Sequence, residues 1–355
     1  MAYITLHKNH FFNNLDIITK LTKTKDKIAL VLKDNAYGHG LLEIAHMAKE
    51  YGITKAVVRS DEEAKKIESF FEYILVLADI PRSPSKKIRY TINDLQAIKK
   101  FAKNTKVELK VDTGMCRNGI MMDELEKAFV FCAKQGLKLE AVFTHHSSAD
   151  EENEYFDLQN KNFHQVKKEA EELAKIYDYG SLRFHSCNSA ALFRSDDFDE
   201  DMARVGIAAY GCLELPDALH VKDFYVNELS PVLSVYAKKI SARKLQKGDR
   251  VGYGAAFTSE NICSVSNYDF GYGDGFLRSC SYHFITPAGI KIAGRISMDN
   301  SSFLTDKEEL LIFSDAREAA KYAGTISYEM LTSLKTYLPR KVVAFSEPST
   351  SPHIN

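Results

Sequence analysis

The sequence predicts an α/β fold in two parts: a parallel (β/α)8 TIM-type barrel over residues 1–228 and a mainly-β domain over residues 229–355. Three observations predict it. Eight strand-like runs alternate with helical stretches between Lys27 and Tyr210, the pattern of a parallel barrel. Near Leu229 the period changes and short strand-like runs take over. The length, 355 residues, exceeds one average domain and suits two. An open doubly wound sheet also accommodates alternating units and is the runner-up.

The elements follow in order. Phe11–Thr24 has a helical period, with Leu15, Ile18 and Leu21 recurring at three-residue spacing. The eight strand-like runs are Lys27–Leu32, Ala56–Arg59, Tyr73–Ala78, Arg89–Ile92, Lys106–Val111, Leu139–Thr144, Leu182–His185 and Met202–Tyr210. Helical stretches between them include Leu41–Tyr51, Ser60–Phe71, Asp94–Lys103, Asp123–Gln135 and Asn160–Tyr177. Ser60 and Asp94 suit N-caps, whose oxygens accept from the first free amides. Gly136 suits a C-cap. In the second part, Pro231–Ile240, Asp249–Tyr253, Cys263–Phe270, Ile290–Arg295 and Leu310–Ser314 read as strands parted by Gly and Asp turns. Ile326–Leu338 reads as a helix and Ser346–Asn355 as a frayed tail.

Composition narrows the function. Apolar residues make up 45% of the chain, ample for large cores. The net charge is −1 with no long run of one sign, which argues against nucleic acid or an anionic membrane as partner. The first ten residues lack a signal pattern, and no apolar stretch approaches the ~18 residues that span a bilayer. The six cysteines are scattered and form no Cys-x-x-Cys pair. That fits reduced thiols in a cytoplasm better than disulfides or a zinc site, and no metal is expected.

The chemistry-bearing residues cluster just after predicted barrel strands, the end at which barrel enzymes hold their active sites. Lys33 follows the first strand, Lys110 and Arg117 the fifth, His145 the sixth, and Asn188 and Ser189 the seventh. Arg204, Gly206 and Ile207 belong to the eighth. Each has an ordinary explanation alone. Arg117 suits a surface ion pair, His145 a satisfied core histidine, Asn188-Ser189 a helix cap and Gly206 a crowded bend. Their joint placement at one end of one barrel is what weighs against those readings. Barrel phosphate sites often use the loops after strands seven and eight, where free amides and a helix dipole favour an anion.

Lys33-Asp-Asn-Ala-Tyr37-Gly-His-Gly40 resembles the pyridoxal-phosphate attachment motif of alanine racemases, with Asp34 as the departure from their usual alanine. Val111-Asp-Thr-Gly-Met-Cys116-Arg117 is similar to their Asp-Thr-Gly-Met-Gly-Arg motif, with Cys116 in place of glycine. Further matches are Phe143-Thr-His145, Arg204-Val-Gly206-Ile207, Val251-Gly-Tyr253-Gly, Gly271-Tyr272-Gly-Asp-Gly, Gly294-Arg-Ile-Ser-Met298-Asp299 and Thr325-Ile-Ser-Tyr328-Glu. Lys335-Thr-Tyr-Leu-Pro-Arg340 diverges, which bears only on local C-terminal packing.

This resemblance, over nearly the whole chain, implies a cytoplasmic isomerase that interconverts L- and D-alanine with pyridoxal phosphate and supplies D-alanine for peptidoglycan. It implies two bases, Lys33 on one face of the substrate and Tyr253 on the other. It also implies a homodimer, because Tyr253 enters the partner's barrel. His145 and Arg204 support these bases, and Arg204 faces the cofactor's ring nitrogen. Arg117, Tyr272 and Met298 bind substrate. Lys33, Tyr37, Asn188, Ser189, Arg204, Gly206, Ile207 and Tyr328 hold the cofactor. Lys110 matches a lysine carbamylated in many relatives. Two rivals stand beside this reading. A pyridoxal-phosphate decarboxylase of the same architecture would place an acidic residue at the ring nitrogen and lack the Tyr253 motif. A lone-barrel cofactor carrier would lack the β domain. Preference for alanine over serine or a broader range stays open.

Overall fold

The computed structural model describes residues 1–344, apart from Arg82, Ala218, His220, Val221 and Lys222. The tail expected over Ser346–Asn355 lies outside the described residues. Strand β1 (Tyr3–His7) does not enter the barrel. The barrel strands are β2 (Ile28–Val31), β3 (Lys55–Val58), β4 (Tyr73–Val76), β5 (Ile88–Ile92), β6 (Lys106–Lys110), β7 (Lys138–Phe143), β8 (Arg183–His185) and β9 (Ala203–Val205). Each overlaps one of the eight expected runs, although β9 stops at Val205 where the run was expected to reach Tyr210, and neighbours pair in parallel from β2 through β8. β9 returns to pair with β2, Ile28 opposite Ala203. That return makes a barrel of the sheet and excludes the open doubly wound alternative.

The seam between β8 and β9 closes by other means. Two backbone bonds cross it, Asp201 N to Phe184 O at 3.2 Å and Arg204 N to Cys187 O at 2.9 Å. Carboxylates take the remaining amides. Asp201 accepts from Phe184 N, and Glu200 from Ser186 N and Cys187 N. Buried backbone donors need a partner, and here acidic side chains replace a ladder. Burial pushes the Glu200 carboxyl up, but the hydrogen bonds from Ser186 outweigh it and hold it below its ordinary value.

Helices cover the barrel between strands. Leu41–Tyr51 is helical as predicted, and Asp61–Ile67 begins with a capping box between Ser60 and Glu63. Gly136 ends Leu125–Gln135 in the left-handed region. Asp94 caps a 3-10 helix, Leu95–Lys100, shorter than the helix expected there. The first helix begins at Lys8, earlier than its apolar period shows.

The second sheet contains β10 (Leu233–Leu245), β13 (Cys263–Tyr268), β14 (Ser301–Phe303), β15 (Glu309–Phe313) and β16 (Arg340–Val343), and it takes in β1. β1 lies between β10, antiparallel, and β16, parallel. β11 (Arg250–Val251) and β12 (Phe257–Thr258) form a separate short hairpin. The strand expected over Ile290–Arg295 is absent. Gly289 and Gly294 hold φ of 76° and 83°, and the segment makes only isolated bridges. The strand expected over Asp249–Tyr253 stops at Val251, and Tyr253 sits in the turn between β11 and β12. The helix expected over Ile326–Leu338 spans Ser327–Thr332.

Candidate active site

Lys33 stands at the C-terminal end of β2, and the backbone after it is unusual. Asp34, Asn35, Ala36 and Tyr37 all have φ between 51° and 56°, a turn of left-handed helix. Left-handed conformations cost roughly 1–2 kcal/mol per residue, less for Asp and Asn. The surroundings offset that cost. Glu63 accepts the Asp34 amide at 2.9 Å and the Arg59 amide at 2.8 Å. His39 Nδ1 donates to the carbonyls of Ala36 and Tyr37 at 3.1 and 2.9 Å. Asn35 caps the Leu41 amide. A methyl on Gly38 would lie 2.0 Å from the Leu331 carbonyl oxygen. Glycine there lets the turn press against the helix that carries Tyr328. Asp34, the departure from the family motif, occupies a left-handed position that aspartate tolerates better than alanine, and pairs with Arg59 at 3.4 Å.

A cavity of about 470 Å³ opens beside Lys33 at this end of the barrel. Tyr37, Lys110, Arg117, His145, Asn188, Ser189, Arg204, Gly206, Ile207 and Tyr328 line it with Lys33. Sequence reasoning named all eleven, and the fold brings them together. Asn93, Asn118 and Arg59 also line it and were not singled out. The loop after β6 is held by Asp112, whose carboxylate accepts the amides of Gly114, Cys116 and Arg117. Cys116 sits at φ 55°, a left-handed position that suits the glycine of the motif it resembles.

One end of the cavity is rich in hydroxyls. Ser189 Oγ accepts the amides of Gly206 and Ala208 at 3.1 and 3.3 Å. Asn188 caps the following helix through Ala191 N at 2.9 Å. A methyl on Gly206 would lie 2.9 Å from the Tyr37 hydroxyl, so the glycine leaves a cradle. Tyr37 packs between Tyr210 and Tyr328, at ring separations of 5.3 and 5.7 Å. Burial keeps both Tyr37 and Tyr328 protonated, so their hydroxyls remain donors.

The opposite end is cationic. Arg204 is buried and donates to the carbonyls of Thr144 and Ser186, at 2.8 and 2.9 Å, and to His185 Nδ1 at 2.5 Å. Its Nη2 lies 3.4 Å from His145 Nδ1. Burial and the Arg204 charge hold the His145 imidazole neutral, well below its ordinary range. Burial, Arg204 and Arg117 lower the Lys110 amine to about 8.

Pyridoxal phosphate would fit this arrangement. A lysine amine, hydroxyl donors around a glycine cradle and a buried arginine match its aldehyde, phosphate and ring nitrogen.

Three named residues do not reach their own chain's cavity. Tyr253, Tyr272 and Met298 are 70%, 40% and 56% exposed on the second domain. Tyr272 and Met298 lie in one loop pair, with Gly273 N donating to Met298 O at 2.7 Å. Sequence reasoning also missed Glu108, which is fully buried in β6 beneath the cavity. The signal was a lone acidic residue between Val107 and Leu109, in step with Lys110.

Comparison with known proteins agrees with this geometry. A family model described as "Alanine racemase, N-terminal domain" matches residues 6–214, and one described as "Alanine racemase, C-terminal domain" matches residues 232–342. The chain is 46% identical to an alanine racemase of a Nitratiruptor species over 340 residues, 96% of this chain and 99% of that one. It is 41% identical to an alanine racemase of Campylobacter concisus, over 97% of this chain and 100% of that one. The structure superposes on alanine racemase of Clostridium difficile 630 with a TM-score of 0.86 at 25% identity, covering 97% and 96% of the two chains. It superposes on that of Bacillus anthracis, solved with bound L-Ala-P, with a TM-score of 0.82 at 27% identity, covering 96% and 95%. From its lysine-bearing turn to its second sheet, the chain belongs to the alanine racemase family.

Proposed function

We propose that this protein interconverts L- and D-alanine with pyridoxal phosphate, supplying D-alanine for peptidoglycan, and that its active unit is a cytoplasmic homodimer. The observation that carries the reading is the convergence of Lys33, the hydroxyl cradle and Arg204 in one cavity. Bound there, pyridoxal phosphate supplies an electron-withdrawing ring that acidifies the α-hydrogen of an amino acid. Tyr37, Ser189, Gly206, Ile207 and Tyr328 hold the phosphate, with Asn188 shaping the helix start. Arg204 has donors only, so it holds the ring nitrogen without giving it a proton. Arg117 binds the substrate carboxylate at the cavity mouth.

Inversion needs one base on each face of the α-carbon. The Lys33 amine serves one face. Tyr253 of a second copy serves the other, and its exposure outside its own cavity supports that assignment. Tyr272 and Met298, exposed on the same domain, complete the substrate pocket from that copy. His145 is set up to meet the incoming phenol. Arg204 faces Nδ1, so the histidine proton lies on Nε2, which is left to donate. Lys110 supports Arg117, and its lowered amine favours carbamylation: the neutral nitrogen adds carbon dioxide and releases a proton.

The test is L-alanine incubated with the purified holoenzyme in heavy water, followed by proton NMR and chiral chromatography. Loss of the α-proton signal with appearance of D-alanine is the expected result. Exchange without D-alanine would overturn the role given to Tyr253, and no exchange would overturn the alanine assignment.

A further inference from the structure

The Arg204 guanidinium is 5% exposed, yet among the described residues no carboxylate lies within ion-pair distance of it. Its hydrogen bonds end on neutral acceptors: the carbonyls of Thr144, His185 and Ser186 and the ring nitrogens of two histidines. A buried charge without compensation is costly, and its counter-charges act at one remove, the buried Glu200 carboxylate on the Ser186 and Cys187 amides first among them.

The geometry supplies a second, through a side chain. His185 is fully buried between Arg204 and Glu108, with Nδ1 2.5 Å from Arg204 Nη1 and Nε2 2.9 Å from Glu108 Oε2. A guanidinium only donates, so Nδ1 accepts and the single imidazole proton lies on Nε2, directed at Glu108. Glu108 is also fully buried and accepts from the Tyr73 hydroxyl at 2.6 Å and from Arg183 at 2.7 Å. Burial pushes its carboxyl up, but the His185 hydrogen bond, the Arg183 charge and the Tyr73 hydroxyl outweigh it and hold it below its ordinary value. Glu108 is therefore an anion, and His185, lowered by burial, is neutral between two charges. Phe143 packs against both His185 and Arg204, at 4.6 and 5.1 Å, and keeps the pair aligned.

We propose that Glu108 is a counterion of Arg204, acting through the imidazole of His185, and is thereby a positioning residue for the cationic end of the cavity. A carboxylate on Nε2–H makes Nδ1 a stronger acceptor, which fixes the plane of the guanidinium and hence the direction of the donors it turns toward the cavity. The effect on catalysis rests on the proposed function, in which Arg204 faces the cofactor ring. The hydrogen-bond relay itself does not.

The test compares Glu108→Gln, which keeps size and an acceptor but loses the charge, with Glu108→Asp, which keeps the charge and loses a methylene. In the holoenzyme, Glu108→Gln should lower kcat for L-alanine about 10- to 100-fold, with little change in KM, as a misdirected group does. It should also shift the visible absorption of the bound cofactor, and Glu108→Asp should restore most of both. Wild-type behaviour of Glu108→Gln, or greater damage from Glu108→Asp, would mean that shape matters and charge does not, and would overturn the proposal. Separately, 15N-histidine spectra of the wild-type protein without substrate should show His185 protonated on Nε2 alone from pH 7 to 9. A proton on Nδ1 would overturn the relay whatever reaction the protein performs. An intact relay in a protein that does not racemise alanine would instead overturn the functional reading.

Discussion

Arg340 grips the carbonyl oxygen of Gly38 with two nitrogens, Nη2 at 2.7 Å and Nε at 3.0 Å. Its third nitrogen holds Leu338 O at 2.7 Å. The contact joins the last strand of the second sheet to the left-handed turn that presents Lys33. The divergent stretch ending at Arg340 thus bears on the active site, beyond the local packing the sequence suggested.

Replacing Arg340 with alanine should therefore loosen both. Charged hydrogen bonds of this kind contribute about 1.5–3 kcal/mol, and urea unfolding should show a loss of that size. The variant should also release pyridoxal phosphate more readily on dialysis. An unchanged unfolding midpoint would show that the clasp contributes nothing.

Gly206→Ala should damage the cofactor site without unfolding the barrel. The added methyl would lie 2.9 Å from the Tyr37 hydroxyl and 3.1 and 3.2 Å from its ring, and Tyr210 and Tyr328 hold that ring in place. Overpacking of this sort costs about 1–3 kcal/mol, about a fivefold weaker affinity for pyridoxal phosphate at the lower end. A spectrophotometric titration of the apoprotein would check it, and parental affinity would contradict it.

Lys110 predicts a pH dependence whose sign follows from its surroundings. The folded amine titrates at about 8, against an ordinary lysine near 10.5 in the unfolded chain. Between those values the unfolded state binds more protons, so stability rises with pH. Relative to a Lys110→Met variant, the parent should gain on the order of 3 kcal/mol from pH 8 to pH 10.5. Paired urea titrations across that window would reveal a flat difference if the amine were ordinary. The comparison is best made in bicarbonate-free buffer, since a carbamate would remove the titration.

A mixture of two inactive variants should regain activity if Tyr253 acts across a dimer. Lys33→Ala and Tyr253→Phe, combined in equal amounts and allowed to exchange subunits, give dimers of which half are mixed. Each mixed dimer has one complete site, so about a quarter of parental activity should return. No recovery after demonstrated exchange would place both bases in one chain.

Most of the barrel was legible because its strands are buried on both faces and read as unbroken apolar runs, as in Ile28–Val31 and Tyr73–Val76. The second domain was harder to read. β14 and β16 are short and carry little apolar signal, and Ala316–Ala323 was missed as a helix among strands. The site was legible where motif and strand end coincide, as at Lys33 and Arg204. Glu108 was not, because a single carboxylate in a strand looks outward-facing until Tyr73 on β4 and Arg183 and His185 on β8, each two strands away, are seen to converge on it. The left-handed turn was likewise hidden, since Asp34–Tyr37 contains no glycine to announce it.

The placement of β1 has a consequence for how the protein is made. Ile4 pairs with Val235 on one side and Arg340 on the other, so β1 waits for two segments far later in the chain before it has both neighbours. The barrel can close around its own eight strands meanwhile, but Ile4 and Leu6 stay without their buried sheet until β16 has been made. Native contacts this distant in sequence slow assembly. Maturation of the two-domain unit is therefore paced by translation of the second sheet, and a chain cut after the barrel would leave β1 an orphaned, aggregation-prone edge.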